Sequence, residues 1–394
     1  MTMTPRERIL AALAHKPTDV VPFDIGGVKV TSLNRHAYAA LTDHLGFGGQ
    51  AQVAHWRSQR THMTEELSRF FDGDVRRVHV PYADPLPEAV TRPVQYDEWG
   101  SEWTQSTDTG LYFVSRSPLA GDVTAADVRQ HAWPEPSCLA DVPAIAAAAA
   151  RLRRETDCAI CLDLPDGVTH LSQFLRGFDD WLVDVAANQA LLALIMDHVT
   201  DIYTAMLGPL LDAVGDNVDI VLHCDDIAAQ GGPLISPRAY RSLIKPRQRR
   251  IFDTIRAHSR ARLLYHSCGS MFWALPDVID LGVDALNPIQ VSSSGMDTAR
   301  LKAEFGRDIA FWGAVDTGYA LPFGTPAEVR AEVQRRVTDL AGDGGYVIGS
   351  VHIIQQEVPP VNILAMAEAA HVYGGRSDGA RFRETRPAAP ERAR

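Results

Sequence analysis

Cysteine is scarce in this chain. Its five cysteines, Cys138, Cys158, Cys161, Cys224 and Cys268, are scattered through 394 residues. An odd, dispersed set does not make a disulfide framework and suits a reducing compartment, so a cytoplasmic protein is expected. Long apolar runs are lacking too: no uninterrupted stretch of about 18 apolar residues occurs, and no membrane span is expected. The opening MTMTPRERIL is polar and runs straight into a helical pattern, unlike a secretory leader. Net positive charge is also missing. A formal charge of −11 argues against nucleic acid or an anionic membrane surface as the main partner. The basic cluster KPRQRR (245–250) reads as a solvated helix face.

What is present is an ordinary globular composition, 46% hydrophobic and 22% charged, with ample material for a large core. Short β-rich runs recur: VVPFDIGG (20–27), RRVHVPY (76–82), AICLDLPDG (159–167) and DIVLHCDD (219–226). RLLYHSCG (262–269), DALNPIQ (284–290), IAFWGAVD (309–316) and YVIGSVH (346–352) follow. Several are near-continuous apolar runs, as expected of strands covered on both faces. Helical patterns lie between most of them. The stretch 178–214 has helical spacing over two helices' length, with Gly208–Pro209 as a kink or break. Ser236 before Pro237, and Thr325 before Pro326 with Glu328 as a capping box, mark two helix starts.

Eight strand candidates alternating with helices predict an α/β fold, a (β/α)8 TIM barrel forming one domain over 1–375. The segment at about 91–119 breaks that beat and reads as a small β-hairpin inserted after strand 2. The polar, Pro/Arg-rich tail 376–394 is expected to be disordered.

In such a barrel, reactive groups sit at the C-terminal ends of strands. The predicted strands end in Asp24, Asp163, His223 to Asp226, His266 and Cys268, Asn287 and Gln290, Trp312 and Asp316, and His352. Packing alone does not call for that many polar groups there. In LLYHSCGSM (263–271), alternation on a strand points His266 and Cys268 the same way, which supplies two ligands of a metal site. A third would come from His352 or from Cys224 on the neighbouring strand, while His223 alternates away. Cys158 and Cys161 lie within a strand with no turn between them, and Trp99 and Trp103 read as the packing face of the hairpin. Asp225 is either a general acid/base or supporting group, or a helix cap; function is the favoured reading.

Taken in order, DDIAAQGGPLISP (225–237), YHSCGS (265–270), DALNPIQ, FWGAVDT (311–317), GTPAEV (324–329) and VHIIQQEVPPVNI (351–363) resemble the uroporphyrinogen decarboxylase superfamily. They are most similar to its zinc- and corrinoid-linked methyltransferases. That resemblance implies Zn2+ held by an H-x-C pair, matched by His266 and Cys268, and by a distant cysteine. At the latter's place this chain reads GSVHIIQ, with His352 as the nearest donor. A His2Cys set carries less negative charge than a HisCys2 set and should be the stronger Lewis acid. The resemblance further implies Asp225 as a catalytic residue and Asp24, Asn287, Gln290, Trp312 and Gln355 as substrate contacts. It also implies a methyl group moved between a small-molecule donor or thiol acceptor and a corrinoid. No DxHxxG-like anchor occurs, so the corrinoid would belong to a partner protein; a homodimer fits the family as well. The alternative is cofactor-free decarboxylation of some other carboxylic acid. A tetrapyrrole is disfavoured because VPFDIGG is followed by no arginine until Arg35. A non-catalytic small-molecule-binding barrel is the reading if His266, Cys268 and His352 do not converge.

Overall fold

The structure, a computed structural model, describes residues 2–48, 52–80 and 92–383. Seven parallel strands form its centre: β1 (Val75–His79), β2 (Ala159–Asp166), β3 (Ile220–Cys224), β4 (Arg262–His266), β5 (Ala285–Asn287), β6 (Ala310–Val315) and β7 (Tyr346–Ser350). They pair in sequence order from β1 to β7. Every residue of β3, β6 and β7 is buried, which is why these segments read as continuous apolar runs rather than alternating ones.

The eighth position differs from expectation. Residues 20–27 make no full strand, only a single parallel bridge between Phe23 and Ile348. That bridge still closes the barrel. Asp24 N donates to Ile348 O at 2.8 Å, Ile348 N donates to Pro22 O at 2.9 Å, and Asp74 N donates to Phe23 O at 2.9 Å. Pro22 brings no N–H to a ladder, and Gly26, at φ 70°, turns the chain away after Asp24. A buried carboxylate reinforces the closure: Asp74 accepts from Phe23 N at 2.7 Å, Arg8 Nη1 at 2.5 Å and Arg376 Nη2.

Arg376 belongs to the tail expected to be disordered. Residues 376–383 instead fold back on the barrel, because they carry partners for buried groups. Phe382 packs against Phe70 and Phe71, with ring centroids 5.5 and 6.0 Å away, and Arg383 pairs with Glu368. Residues 384–394 lie outside the described residues. The long helical stretch breaks at Asn188, not at Gly208–Pro209: helices Phe178–Ala187 and Gln189–Val214 flank it, and the second runs on through Pro209. The segment Gln189–Asn217 is long and apolar enough to cross a membrane by length and composition alone, but it is interrupted by Asp197, Asp201 and Asp212, and half of its most apolar window is buried within the fold. Thr325 makes the expected capping box, and Ser236 caps its helix. In the 245–250 cluster Lys245, Arg247, Arg249 and Arg250 each pair with an aspartate.

Among the described residues three small antiparallel sheets sit outside the barrel, one of them only the pair Ala228–Ala229 and Gly232–Pro233. Val53–His55 pairs with Arg60–Thr61, and the inserted segment makes three strands, Val94–Tyr96, Glu102–Gln105 and Tyr112–Arg116. A cluster of Trp56, Trp103 and Tyr112 joins the other two sheets.

Candidate metal centre

Parallel register sets the site. His266, the last residue of β4, stands opposite Cys224 of β3 and Asn287 of β5. Cys268 follows two residues later, and His352 lies just beyond β7. The ligand atoms of His266, Cys268 and His352 fall within 4.8 Å of one another. Cys268 Sγ is 3.4 Å from His266 Nε2.

Hydrogen bonding fixes which imidazole nitrogen is free. Asn287 Nδ2 donates to Trp312 O at 3.2 Å, so its Oδ1 faces His266 Nδ1 at 2.6 Å. Nδ1 must then carry the proton, which leaves Nε2 as a lone-pair ligand toward Cys268. The Cys268 backbone is braced as well: its N–H donates to Asp226 Oδ1 at 2.8 Å, and Gly269 N donates to Gln290 Oε1 at 2.7 Å. Gly269 sits at φ 94°, and a Cβ there would come within 2.7 Å of Ala229 O, so glycine is required where the loop presses on its neighbour. Burial lowers the His266 imidazole to about 4 and pushes the Cys268 thiol well up. A divalent cation reverses the second effect, since a coordinating thiol is deprotonated outright. Two neutral imidazoles and one thiolate suit zinc with a fourth position open. Cys224 is not one of the three converging donors; burial pushes its thiol to about 12.

A cavity of about 320 Å³ opens over His266 and His352, two of these donors. His266, His352, Asp226, Cys224 and Gln355 line one side; Lys29, Arg57, Arg60, Trp103 and Phe174 line the other. A second cavity, of about 380 Å³, reaches Cys268 and His352 from the side of Gln290 and Asp316.

The other expected site residues divide. Gln355 faces the first cavity, Gln290 the second, and Asn287 acts through His266. Asp225 does not face either cavity. Its Oδ1 accepts from Thr169 N and His170 N at 2.8 and 3.3 Å, and its Oδ2 from Gln248 Nε2 at 3.1 Å. It therefore caps the helix Val168–Arg176, and burial raises its carboxyl to about 6. Asp24 and Trp312 are buried partners of each other: Trp312 Nε1 and Thr31 Oγ1 donate to Asp24 Oδ2 at 2.9 and 2.8 Å, and neither residue lines the cavities.

Sequence reasoning favoured Asp225 over Asp226 and missed His170, Asp166, Lys29, Arg57 and Arg60 around the mouth. Asp226, one residue past the capping aspartate, lines the cavity, with His170 Nε2 3.5 Å from its Oδ2. Burial alone would lower His170, but hydrogen bonding and the charge of Asp226 push it up to about 9. Burial likewise opposes ionisation of Asp166, yet Lys29 and Arg57 hold it below the usual carboxylate range. The paired arginines of WRSQRT (56–61), beside a tryptophan, were the available signal for this side.

With the geometry in place, comparison with known proteins fixes the family. The family model described as uroporphyrinogen decarboxylase (URO-D) matches residues 116–373. The chain belongs to the URO-D family. Curated URO-D relatives include the uroporphyrinogen decarboxylase of Neisseria meningitidis serogroup C, 27% identical over 184 residues, covering 46% of this chain and 48% of the relative. That of Pseudomonas aeruginosa is 28% identical over 183 residues, covering 44% and 49%. This URO-D family chain thus spans about half the length of the curated relatives it matches. Among solved structures, a methyltransferase from Methanosarcina mazei superposes with a TM-score of 0.64 at 20% identity, covering 94% of this chain and 99% of the other. The two share the barrel fold.

Proposed function

We propose that this URO-D family member is a zinc-dependent methyltransferase that moves a methyl group between a small molecule and a corrinoid carried by a separate protein. The observation that carries this reading is the convergence of His266, Cys268 and His352 at the barrel mouth, with the His266 tautomer set by Asn287. When bound, zinc supplies Lewis acidity toward the heteroatom that bears or receives the methyl group, or holds an acceptor thiol as thiolate. The chain does the rest. His266, Cys268 and His352 hold the ion, Asn287 orients His266, and Asp226 steadies the Cys268 loop. Gln355 offers a donor and an acceptor to the substrate. His170 keeps a proton beside the cavity, stabilised by Asp226, for the heteroatom that loses the methyl group.

The test is metal content of the purified, reduced protein beside the Cys268→Ala/His352→Ala double variant, followed by assay with methylated corrinoid. About one zinc per chain, absent from the double variant, is the expected result. Protein that takes up no zinc on reloading sinks the reading.

One observation favours a second reading, decarboxylation of a carboxylic acid. Lys29, Arg57 and Arg60 line the cavity and could receive a carboxylate. In that case activity survives exhaustive chelation; under the first reading it does not.

A further inference from the structure

Arg60 stands out among the charges around the cavity. It is 7% exposed, and among the described residues no carboxylate lies within 4 Å of it. Its Nη1 donates to Ser58 Oγ at 3.2 Å, while its Nε is buried without a hydrogen-bond partner. Nearby cations are matched: Lys29 and Arg57 share Asp166, at 3.7 and 3.3 Å, and Arg77 faces Asp163 at 3.8 Å. The Arg60 charge reaches Asp163 and Asp166 only at longer range, and both are already held by Lys29, Arg57 or Arg77. Burying a guanidinium without a contact ion pair is costly, and an incoming anion would offset that cost. Arg60 lines the 320 Å³ cavity, and its positive charge is felt at His352, one of the three metal donors.

The rest of the wall limits what that anion can be attached to. Trp103, Tyr112, Phe113 and Phe174 bring aromatic surface to the cavity. Its volume lies at the small end of small-molecule sites, which suits a single-ring ligand. The planar guanidinium fork can take the two oxygens of a carboxylate bidentately.

We propose that Arg60 recognises the carboxylate of a small aromatic acid, whose ring lies along Trp103 and Phe174 and whose far end points toward His266, Cys268 and His352. This names the substrate class of the site described above, and it rests on the methyltransferase reading only for what happens at that far end. Arg60 acts here in binding, not in bond-making.

The experiment is calorimetric titration of the full chain, before and after chelation of metal, with benzoate, benzamide and phenylphosphonate. Arg60→Gln and Arg60→Lys are titrated alongside, with melting temperature and zinc content recorded for each. Benzoate is expected to bind at least tenfold tighter than neutral benzamide. Arg60→Gln should abolish that preference and Arg60→Lys should keep part of it. Because no carboxylate contacts it, Arg60→Gln should melt close to the parent; an arginine serving only structure would leave it clearly less stable. Equal binding of benzoate and benzamide, no benzoate binding at millimolar concentration, or an undiminished preference in Arg60→Gln overturns the proposal. So does tighter binding of phenylphosphonate than of benzoate. Since titration of the chelated protein needs no zinc, failure of the metal site and failure of the carboxylate site are read separately.

Discussion

On one side of the cavity, His266 ends a parallel strand whose neighbours are buried on both faces, Cys268 follows two residues on, and His352 lies just past the end of another. On the other side, Arg57, Arg60 and Trp103 ride on two short antiparallel sheets outside the barrel. The first side is positioned by the hydrogen-bonded ladder itself, which sets His266 against Asn287. The second is positioned by side chains resting on one another. The Arg57 guanidinium lies 4.7 Å over the Trp103 ring, and that ring meets Trp56 at 5.9 Å and Phe174 at 4.9 Å. The difference is instructive: groups that need fixed geometry stand on the scaffold, and groups that select a ligand stand on pieces that can change without disturbing it.

The comparison is tested hardest by damaging the barrel closure. Truncation after Gly375 removes Arg376 from the fully buried Asp74 and uncovers Phe71. Asp74 keeps Arg8, so the loss of its second arginine together with the Phe382 packing should cost about 3–5 kcal/mol, read by urea unfolding. Parent-like stability would show that the folded-back tail contributes nothing to the closure.

Asn287→Ala comes next. Losing the partner that fixes His266 should weaken zinc binding by about 10–100-fold, measured by competition with a chromophoric chelator. Benzoate binding by the chelated variant should not change. A loss of both together would mean that the two sides are not separable.

A smaller effect concerns acid. His223, buried on β3 against Tyr203, Phe252 and Tyr265, is lowered from 6.5 to about 3 by burial, helped by the positive charge of Lys29. Below pH 6.5 the unfolded chain binds a proton here that the folded chain does not. This contribution to stability is therefore full above pH 6.5 and is lost as pH falls toward 3. His223→Gln should reduce the stability lost between pH 7 and pH 5 by about 2 kcal/mol. An unchanged slope would place the acid sensitivity elsewhere.

Trp103→Leu should have the smallest effect. It removes the aromatic surface along which the benzoate ring lies, worth about 1 kcal/mol, so benzoate affinity should fall about fivefold while zinc stays bound. Zinc loss in this variant would contradict the division between the two sides.

Much of the barrel side was legible in the sequence. Apolar runs buried on both faces announce parallel strands, and polar residues at their ends stand out against them, so His266, Cys268 and His352 could be named together. Asp225 and Asp226 could not be told apart that way. The strand ends at Cys224, and beyond it alternation no longer says which carboxylate turns to the helix and which to the cavity. Asp24 and Trp312 look like mouth residues in print, yet each satisfies the other inside the barrel. Arg57 and Arg60 escaped notice because a short hairpin carries no periodic signal and lies far along the chain from the metal donors. The first strand was overread because VVPFDIGG has β-like composition, while Pro22 and Gly26 leave only one bridge.

The zinc assignment is tested most directly by X-ray absorption at the zinc edge of the reloaded protein, beside Cys268→Ala. A single sulfur neighbour at about 2.3 Å with nitrogen or oxygen neighbours at about 2.0 Å, and loss of the sulfur in the variant, is the predicted result. A shell of nitrogen and oxygen alone, unchanged by Cys268→Ala, would contradict it.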